Sequence, residues 1–356
     1  MRLHFLTNSD MISYCFFYPL LVNVKRLREL SVSTKFYEKI KDEIFECDIL
    51  FIDSKYFRLL WNNREYSMGL LRGIREKSER LVWLDTTDST GATHFQVLPY
   101  VDKYWKKQLL EDLDLYLNDY YGARIYTDFN RKLFNVKDGN VYSVEPIKKQ
   151  YINKLSVSWN LGAGPILANN KILRFISLIP WPIKEKLAFK YKLRSYPYLS
   201  ERLQSLCFRG SNKYKNKALS FQRLKTIEKL KARGVETPPV KQKEFIEEIK
   251  RSRIAVSPFG NGEVCFRDFE IILGGAVLYK PTMEHLRTYP DVYINNETYV
   301  SFQWDFSDFD ERIDDLLANP DTIAKISQQA QEKYQYFLSE KGQEGFCIRF
   351  IDMLRF

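Results

Sequence analysis

The stretch from Ser252 to Pro281 constrains the fold of this 356-residue chain more than any other. It begins with an apolar run, Ile254 to Val256, that predicts a short buried strand. A loop containing Gly260 and Gly262 follows, and then a predicted helix that ends at a Gly-Gly pair. A second apolar run completes the unit. A strand, a loop, a helix and a strand in this order predict an α/β protein with a parallel sheet.

The glycines of this loop predict a phosphate-binding site. Unpaired N–H groups and the macrodipole at a helix N-terminus favour an anion, and glycine lets the backbone approach it closely. Arg267 and Glu270 lie in the helix that follows. The alternative is an ordinary buried strand-helix-strand in which Arg267 and Glu270 form an ion pair, worth only about 0.2–0.5 kcal/mol if exposed.

The string Pro-x-Gly-x-Gly at 258–262, followed by Arg267-x-x-Glu270, Gly-Gly and a buried strand, resembles the donor-binding half of GT-B glycosyltransferases, both the retaining families and the exostosin-like group. The resemblance implies two Rossmann-like domains facing across a cleft. It places Glu270 on the ribose hydroxyls of a nucleotide sugar and Arg267 on its diphosphate or sugar. In the retaining families seven residues separate a pair of glutamates, whereas six separate Glu263 from Glu270, so the role of Glu263 stays open.

The same resemblance implies further donor contacts. In GT-B proteins the loop after the first strand of the C-terminal domain commonly touches the donor phosphates, and Leu203 to Phe208 is predicted to be that strand. Arg209, Gly210 and Lys213 would then belong to the site, and a later polar turn would add Thr298. The last helix is expected to cross back to the first domain.

The first half of the chain alternates predicted strands and helices, which indicates a Rossmann-like domain. The predicted strands are Arg2 to Leu6, Asp48 to Asp53, Arg80 to Asp85 and Arg124 to Asp128, and the predicted helices are Lys35 to Phe45 and Met68 to Glu79. We expect an acceptor domain at 1–195, a nucleotide-sugar domain at 196–340 and a C-terminal helix at 341–356.

The loop Asp-Thr-Thr-Asp-Ser-Thr-Gly at 85–91 supplies the catalytic candidates. Inverting glycosyl transfer needs a general base, and Asp85, Asp88 and His94 are the candidates at this edge of the predicted sheet. The alternative is an Asx-type turn with a surface histidine. The following segment, Val101 to Leu110, alternates charged and aromatic residues, which fits either an acceptor cleft or a solvated helix face.

The positive charge is concentrated in the middle of the chain. The net charge is +10, and residues 171–253 hold 22 Lys and Arg against 7 Asp and Glu. A phosphate-bearing partner is the natural inference. Residues 172–194 mix apolar and basic side chains, a composition that suits either an anionic membrane surface or packing between the domains.

The remaining features limit the class of protein. Five scattered cysteines indicate neither a zinc site nor a disulfide framework, and a cytoplasmic protein is expected. The first residues predict a strand rather than a signal peptide, and the sequence contains no run long and apolar enough to span a membrane. Asp308 and Asp310 are interpreted as helix-capping residues, so neither a metal nor a cofactor is expected beyond the nucleotide sugar as substrate.

Together these observations predict a metal-independent glycosyltransferase. Its partners would be a nucleotide-sugar donor and a glycan or glycolipid acceptor, in surface polysaccharide or glycolipid synthesis at the inner face of the plasma membrane. A nucleotide-sugar epimerase of the same fold is the nearest alternative. A basic nucleic-acid-binding protein is the alternative from another class, although no known binding module accompanies the lysines and no specific nucleic acid is expected.

Overall fold

The computed structural model describes residues 1–139, 141–164, 175–176, 178–185, 195–197, 202–211 and 216–356. Lys213 lies outside the described residues. So do most basic residues of the 172–194 segment, with Lys184 among those described.

The first lobe is built on a six-stranded parallel sheet. Its strands are β1 (Arg2–Leu6), β2 (Ser33–Tyr37), β3 (Ile49–Asp53), β4 (Leu81–Asp85), β5 (Lys103–Lys106) and β7 (Leu155–Val157), and its helices are α1 (Met11–Val22), α2 (Val24–Glu29), α3 (Arg64–Lys77), α4 (Ile125–Phe134) and the single turn α5 (Trp181–Lys184). The strand order is β2-β1-β3-β4-β5-β7. Strands β3 and β4 are buried along their whole length, as apolar runs in a two-sided parallel sheet require.

The second lobe repeats this architecture around a four-stranded parallel sheet of order β12-β10-β9-β8. Its strands are β8 (Gln204–Cys207), β9 (Ser252–Val256), β10 (Val277–Pro281) and β12 (Val300–Phe302), and its helices are α6 (Lys217–Ala232), α7 (Gln242–Arg251), α8 (Phe266–Gly274), α9 (Phe309–Ala318), α10 (Pro320–Leu338) and α11 (Glu340–Met353). An antiparallel pair, β6 (Gln108–Leu110) with β11 (Leu286–Thr288), joins the two lobes.

The last helix packs on the first lobe, as expected. The ring of Phe350 lies 6.1 Å from that of Trp105, and the Arg349 guanidinium donates to the Val157 carbonyl at 2.6 Å. The predicted architecture of two Rossmann-like lobes with a C-terminal helix that crosses back is therefore confirmed.

Two predictions of secondary structure were wrong, and for residues 101–110 one of the two alternatives is excluded. The segment predicted as helix 35–45 contains the end of β2 and a short 3-10 turn, because Phe36 and Tyr37 are buried on opposite faces of the sheet. The segment predicted as strand 124–128 begins α4, whose buried Tyr126 and Asn130 lie one helical turn apart. Residues 101–110 form β5 and β6 rather than a solvated helix.

The described part of the basic segment is packed at some residues and exposed at others. Trp181 is fully buried against the ring of Phe36, and the Lys184 ammonium, also buried, donates to the Ser9 hydroxyl at 2.5 Å. Burial lowers the pKa of Lys184 to about 8. Phe175 and Leu178, in contrast, are 68% and 78% exposed. Among the described residues no helix is long and apolar enough to cross a membrane.

Candidate active site

Two loops, one from each lobe, meet where the carboxyl ends of the sheets face each other. The fully buried carboxylate of Glu263, after β9, accepts hydrogen bonds from the amide of Thr90 at 3.1 Å and from its hydroxyl at 2.7 Å, after β4. Burial alone would raise the pKa of Glu263, but His285 and Thr90 hold it below its ordinary value. Glu263 therefore links the lobes.

The glycines of this loop are explained by the same contact. A Cβ at Gly262 would lie 1.6 Å from the carbonyl oxygen of Asp88, so only glycine fits there. The Gly260 amide donates to the Gly262 carbonyl at 3.2 Å, and the Gly260 carbonyl accepts from the Tyr126 hydroxyl at 3.0 Å. The close approach that the sequence indicated is thus made to the opposite lobe.

The start of α8 holds a carboxylate of the chain itself. Asp268 is fully buried and accepts from the Cys265 amide at 3.1 Å, from the Ser257 hydroxyl at 2.6 Å, from the Tyr293 hydroxyl at 2.7 Å and from the Lys280 ammonium at 3.2 Å. The helix start at which the sequence predicted a phosphate is therefore occupied by the Asp268 carboxylate. An aspartate at the third position of a helix is a capping signal that sequence reasoning could have used.

Four of the predicted donor contacts lie near one another, in a group that we call the Arg267 corner. Its residues are Arg209, Gly210, Arg267 and Glu270, with Gln242 of α7 beside them. The Arg267 guanidinium donates to the Arg209 carbonyl at 2.6 Å and lies 5.1 Å from the ring of Phe208. The Glu270 carboxylate, 8% exposed, accepts from the Gln242 amide at 2.8 Å, and burial raises its pKa.

The two arginines of this corner differ in their charge balance. Arg209 is paired with Glu248 at 2.6 Å and with Glu236 at 3.0 Å. Arg267 forms no ion pair with any described residue, so its charge is the one left for a ligand. Thr298 is buried, and its hydroxyl donates to the Val292 carbonyl at 2.7 Å.

Asp85 lies at the centre of a buried polar cluster at the end of β4. Its carboxylate accepts from the Lys106 ammonium at 3.1 Å, from the Thr87 hydroxyl at 2.6 Å and from the Tyr104 hydroxyl. Burial alone would raise the pKa of Asp85, but Lys106 and His94 hold it well below its usual range. A fully buried, paired carboxylate of this kind cannot itself reach a substrate, so Asp85 is a poor candidate for the base.

His94 is the predicted candidate that combines access with a partner. Its Nδ1 lies 3.7 Å from Asp85 Oδ1 and has no hydrogen bond among the described residues. The ring stacks on Trp61 with centroids 5.7 Å apart. Asp88 is half exposed, but its carboxylate is paired with Lys107 at 3.0 Å, and Lys107 lowers its pKa.

A cavity of about 990 Å³ opens between the lobes beside these residues. It is lined from the first lobe by Lys55, Arg58, Trp61, Asp88, His94 and Tyr142, among others, and from the second lobe by Asn216, Leu219 and Asn261. The carboxyl ends of parallel strands are where open α/β sheets bind ligands, so the cavity is the natural substrate site.

Sequence reasoning missed the two buried lysines, Lys106 and Lys107. In the sequence they follow Trp105, and that pattern fitted a helix face. In the structure β5 carries Lys106 beside Asp85 of the neighbouring strand. Among the residues that the structure describes, no group of three or more His, Cys, Asp or Glu is placed to hold a metal ion.

No protein-family model and no curated protein matches this sequence. Similar solved structures include an alpha-glucosyltransferase in complex with UDP-glucose and DNA containing an abasic site, with 10% identity, 99% of both chains covered and a TM-score of 0.47. HepE of Anabaena in complex with UDP and glucose has 8% identity, the same coverage and a TM-score of 0.45. TarM has 10% identity and a TM-score of 0.44 over 94% of this chain and 57% of TarM. With TM-scores below 0.5, these similarities assign neither a family nor an activity.

Proposed function

We propose that this chain is a glycosyltransferase that moves a sugar from a nucleotide-sugar donor to a glycan or lipid-linked acceptor. The main support is the position of His94. Its ring lines a cavity between two Rossmann-like lobes, and a buried aspartate lies behind it. That is the arrangement that a general base for an acceptor hydroxyl requires.

The donor binds at the Arg267 corner. Glu270 exchanges its hydrogen bond from the exposed Gln242 side chain for hydrogen bonds from the ribose hydroxyls. The unpaired Arg267 guanidinium balances the charge of the diphosphate as it leaves, so no metal is invoked. Lys213, outside the described residues, stays a predicted member of this site, and so do Gly210 and Arg209 through their backbone.

The chemistry follows from the two nitrogens of His94. Because Nδ1 faces Asp85, the proton resides there and Nε2 is left to accept one. The acceptor oxygen attacks the anomeric carbon while its proton passes to Nε2. The bond from that carbon to the diphosphate oxygen breaks, and the nucleotide diphosphate leaves with the electron pair. Attack from the face opposite the leaving group inverts the anomeric configuration.

The donor assignment is tested by calorimetric titration of UDP, GDP, CDP and CMP against the wild type and Glu270→Ala. Loss of a charged hydrogen-bond partner costs about 1.5–3 kcal/mol, so we expect affinity for the preferred nucleotide to fall about tenfold to a hundredfold. Glu247→Ala, which removes an exposed glutamate on α7, is the matched control and leaves the affinity unchanged. Equal affinity in both variants would remove the donor assignment.

Incubation with the donor alone separates this proposal from the epimerase alternative. A glycosyltransferase leaves the sugar of the intact donor unchanged and at most hydrolyses it slowly. Conversion of the donor to an epimer, followed by NMR, would replace the proposed activity.

We also propose that the protein works at the cytoplasmic face of a membrane, in polysaccharide or glycolipid synthesis. The support is the exposure of Phe175 and Leu178 in the segment that the sequence indicated. Lys184 is buried and takes no part in this contact. In liposome sedimentation we expect Leu178→Ser to reduce association, whereas Leu203→Ser, at a similarly exposed leucine elsewhere, does not. Identical sedimentation of the two variants would refute the contact.

A further inference from the structure

We infer that the acceptor carries an anionic group, a phosphate or a carboxylate, and that the Lys55 ammonium binds it in the cavity between the lobes. This inference rests on the proposed function, because it names the class of acceptor that His94 deprotonates. The observation behind it is the Lys55 ammonium, which lines the cavity and forms no ion pair with a described residue.

The backbone of Lys55 is fixed at the end of β3. Its amide donates to the Asp53 carboxylate at 3.0 Å, and its carbonyl accepts from the Asn8 side chain at 2.7 Å. Asp53 is fully buried and also accepts from the hydroxyls of Thr7 at 2.8 Å and Thr86 at 2.8 Å. The turn that presents Lys55 is therefore rigid, so little backbone entropy is lost when a ligand binds there.

The Lys55 side chain has no charged partner. Its ammonium makes no hydrogen bond or ion pair with any residue of the described part of the chain. Burial lowers its pKa, and the carboxylates of Asp10 and Asp53 are the strongest opposing influences. Both of these carboxylates already accept hydrogen bonds from other groups, Asp10 from the first amides of α1 and Asp53 from three hydroxyls and one amide. A half-buried cation that lacks a direct partner is stabilised when an anion binds.

The other charged residues that line the cavity are also mostly positive. Its charged residues are Lys55, Arg58, Arg64, Arg124, Asp88 and Glu145. Asp88 is paired with Lys107, and Glu145 lies 3.3 Å from Arg64. Lys55, Arg58 and Arg124 form no ion pair with a described residue, and the first two lie on one turn, in which the Arg58 amide donates to the Lys55 carbonyl at 3.1 Å. These cations can donate to the hydroxyls of a neutral sugar, but they bind an anionic group more strongly.

The cavity also offers a surface for the body of a sugar. Trp61 and Tyr142 line it together with His94, and aromatic faces pack against the C–H groups of sugar rings. An anionic sugar would thus have a ring surface, a cation and a base within one cavity.

The test is calorimetric titration of glucose 6-phosphate, glucuronate and glucose against the wild type, Lys55→Ala, Lys55→Arg and Lys39→Ala. Lys39 is an exposed lysine that does not line the cavity and is the matched control. We expect at least one anionic sugar to bind the wild type about tenfold or more tightly than glucose. Lys55→Ala removes the preference, and the other two variants keep it. Whether the phosphate or the carboxylate is preferred identifies the group.

Two outcomes would overturn the inference. The first is the absence of any difference among the three sugars, or a preference that survives Lys55→Ala. The second is a loss of affinity for UDP or GDP in Lys55→Ala as large as the loss for the anionic sugar, because Lys55 would then serve the donor. A wild type that shows the Lys55-dependent preference but binds no nucleotide would refute the proposed function and leave the anionic site standing.

Discussion

The two lobes carry the same buried motif, and they use it differently. In the first lobe Asp85 is bound by Lys106, Tyr104 and Thr87, and in the second lobe Asp268 is bound by Lys280, Tyr293 and Ser257. In each case a lysine ammonium, a tyrosine hydroxyl and a small hydroxyl surround one fully buried carboxylate. Each cluster lies at the carboxyl end of a parallel sheet.

The difference lies in what stands beside the carboxylate. Asp268 lies among residues of its own lobe and caps the start of α8, so its cluster is closed. Asp85 has His94 at 3.7 Å, and the ring of His94 lines the cavity between the lobes. The same group of residues is therefore a structural support in one lobe and, in the proposed mechanism, the support of a catalytic base in the other. A buried Asp–Lys pair alone therefore does not identify a catalytic site.

The largest effect expected from this difference is on turnover. His94→Asn removes the base, so we expect turnover to fall about 10²- to 10⁴-fold with little change in the urea unfolding midpoint. Tyr293→Phe, in the closed cluster, is expected to leave turnover unchanged. Rates measured with the donor and acceptor that the binding screens identify check both. A fully active His94→Asn, or a Tyr293→Phe as inactive as His94→Asn, would contradict the comparison.

The next effect concerns stability, where the two clusters should behave alike. Lys106→Met and Lys280→Met each leave a buried carboxylate without its cation, which typically costs about 3–5 kcal/mol. We expect both variants to lose this much unfolding free energy in urea titrations. Lys25→Met, at an exposed lysine of α2, is the control. A loss below about 1 kcal/mol in either cluster would mean that its pair does not stabilise the fold.

The smallest effect concerns the contact between the lobes and its dependence on pH. The pKa of Glu263 is lowered in the folded protein, so its contribution is fully present above the unfolded value, about 4.3, and is lost as the pH falls through the folded value. We expect Glu263→Gln to lose about 1–3 kcal/mol at pH 7.

The difference in unfolding free energy between the wild type and Glu263→Gln should then shrink as the pH is lowered below about 4. Asp85, whose pKa is also lowered, is present in both proteins and cancels from this difference. Urea titrations between neutral and acid pH measure it. If this difference in unfolding free energy grew as the pH fell, the ionised Glu263 carboxylate would not stabilise the contact between the lobes.

The fully buried strands could be predicted because their sequences are apolar runs, whereas β2 and β5, which carry polar residues, could not. Residues 49–53 and 81–85 carry that pattern, and so does β9. Helix α1 could not be found in this way, since Met11–Val22 is apolar on all sides and shows no helical period. Its position depends on the packing of Phe17 against Phe5 of β1 and of Phe16 against Trp159, which is not a local property of the sequence.

The candidate site was predictable in its parts and not in its assembly. The loops after β4 and β9 stood out because they follow buried strands and contain Asp, Thr and Gly. That Gly262 faces Asp88, and that Lys106 reaches Asp85, are contacts between residues distant in the sequence. No periodicity within either segment encodes them. For the same reason the position of Asp85 at the end of β4 could be predicted, whereas its burial and its contact with Lys106 could not.

Hydrogen exchange with and without the nucleotide that binds most tightly tests the central claim most directly, namely that a nucleotide-sugar donor sits at the Arg267 corner and that His94 is the base. We expect the nucleotide to protect the amides at 208–211 and in α8 from exchange. When the complete nucleotide sugar replaces the nucleotide, we expect further protection at 86–94. Protection confined to other segments, or none at saturating nucleotide, would contradict it.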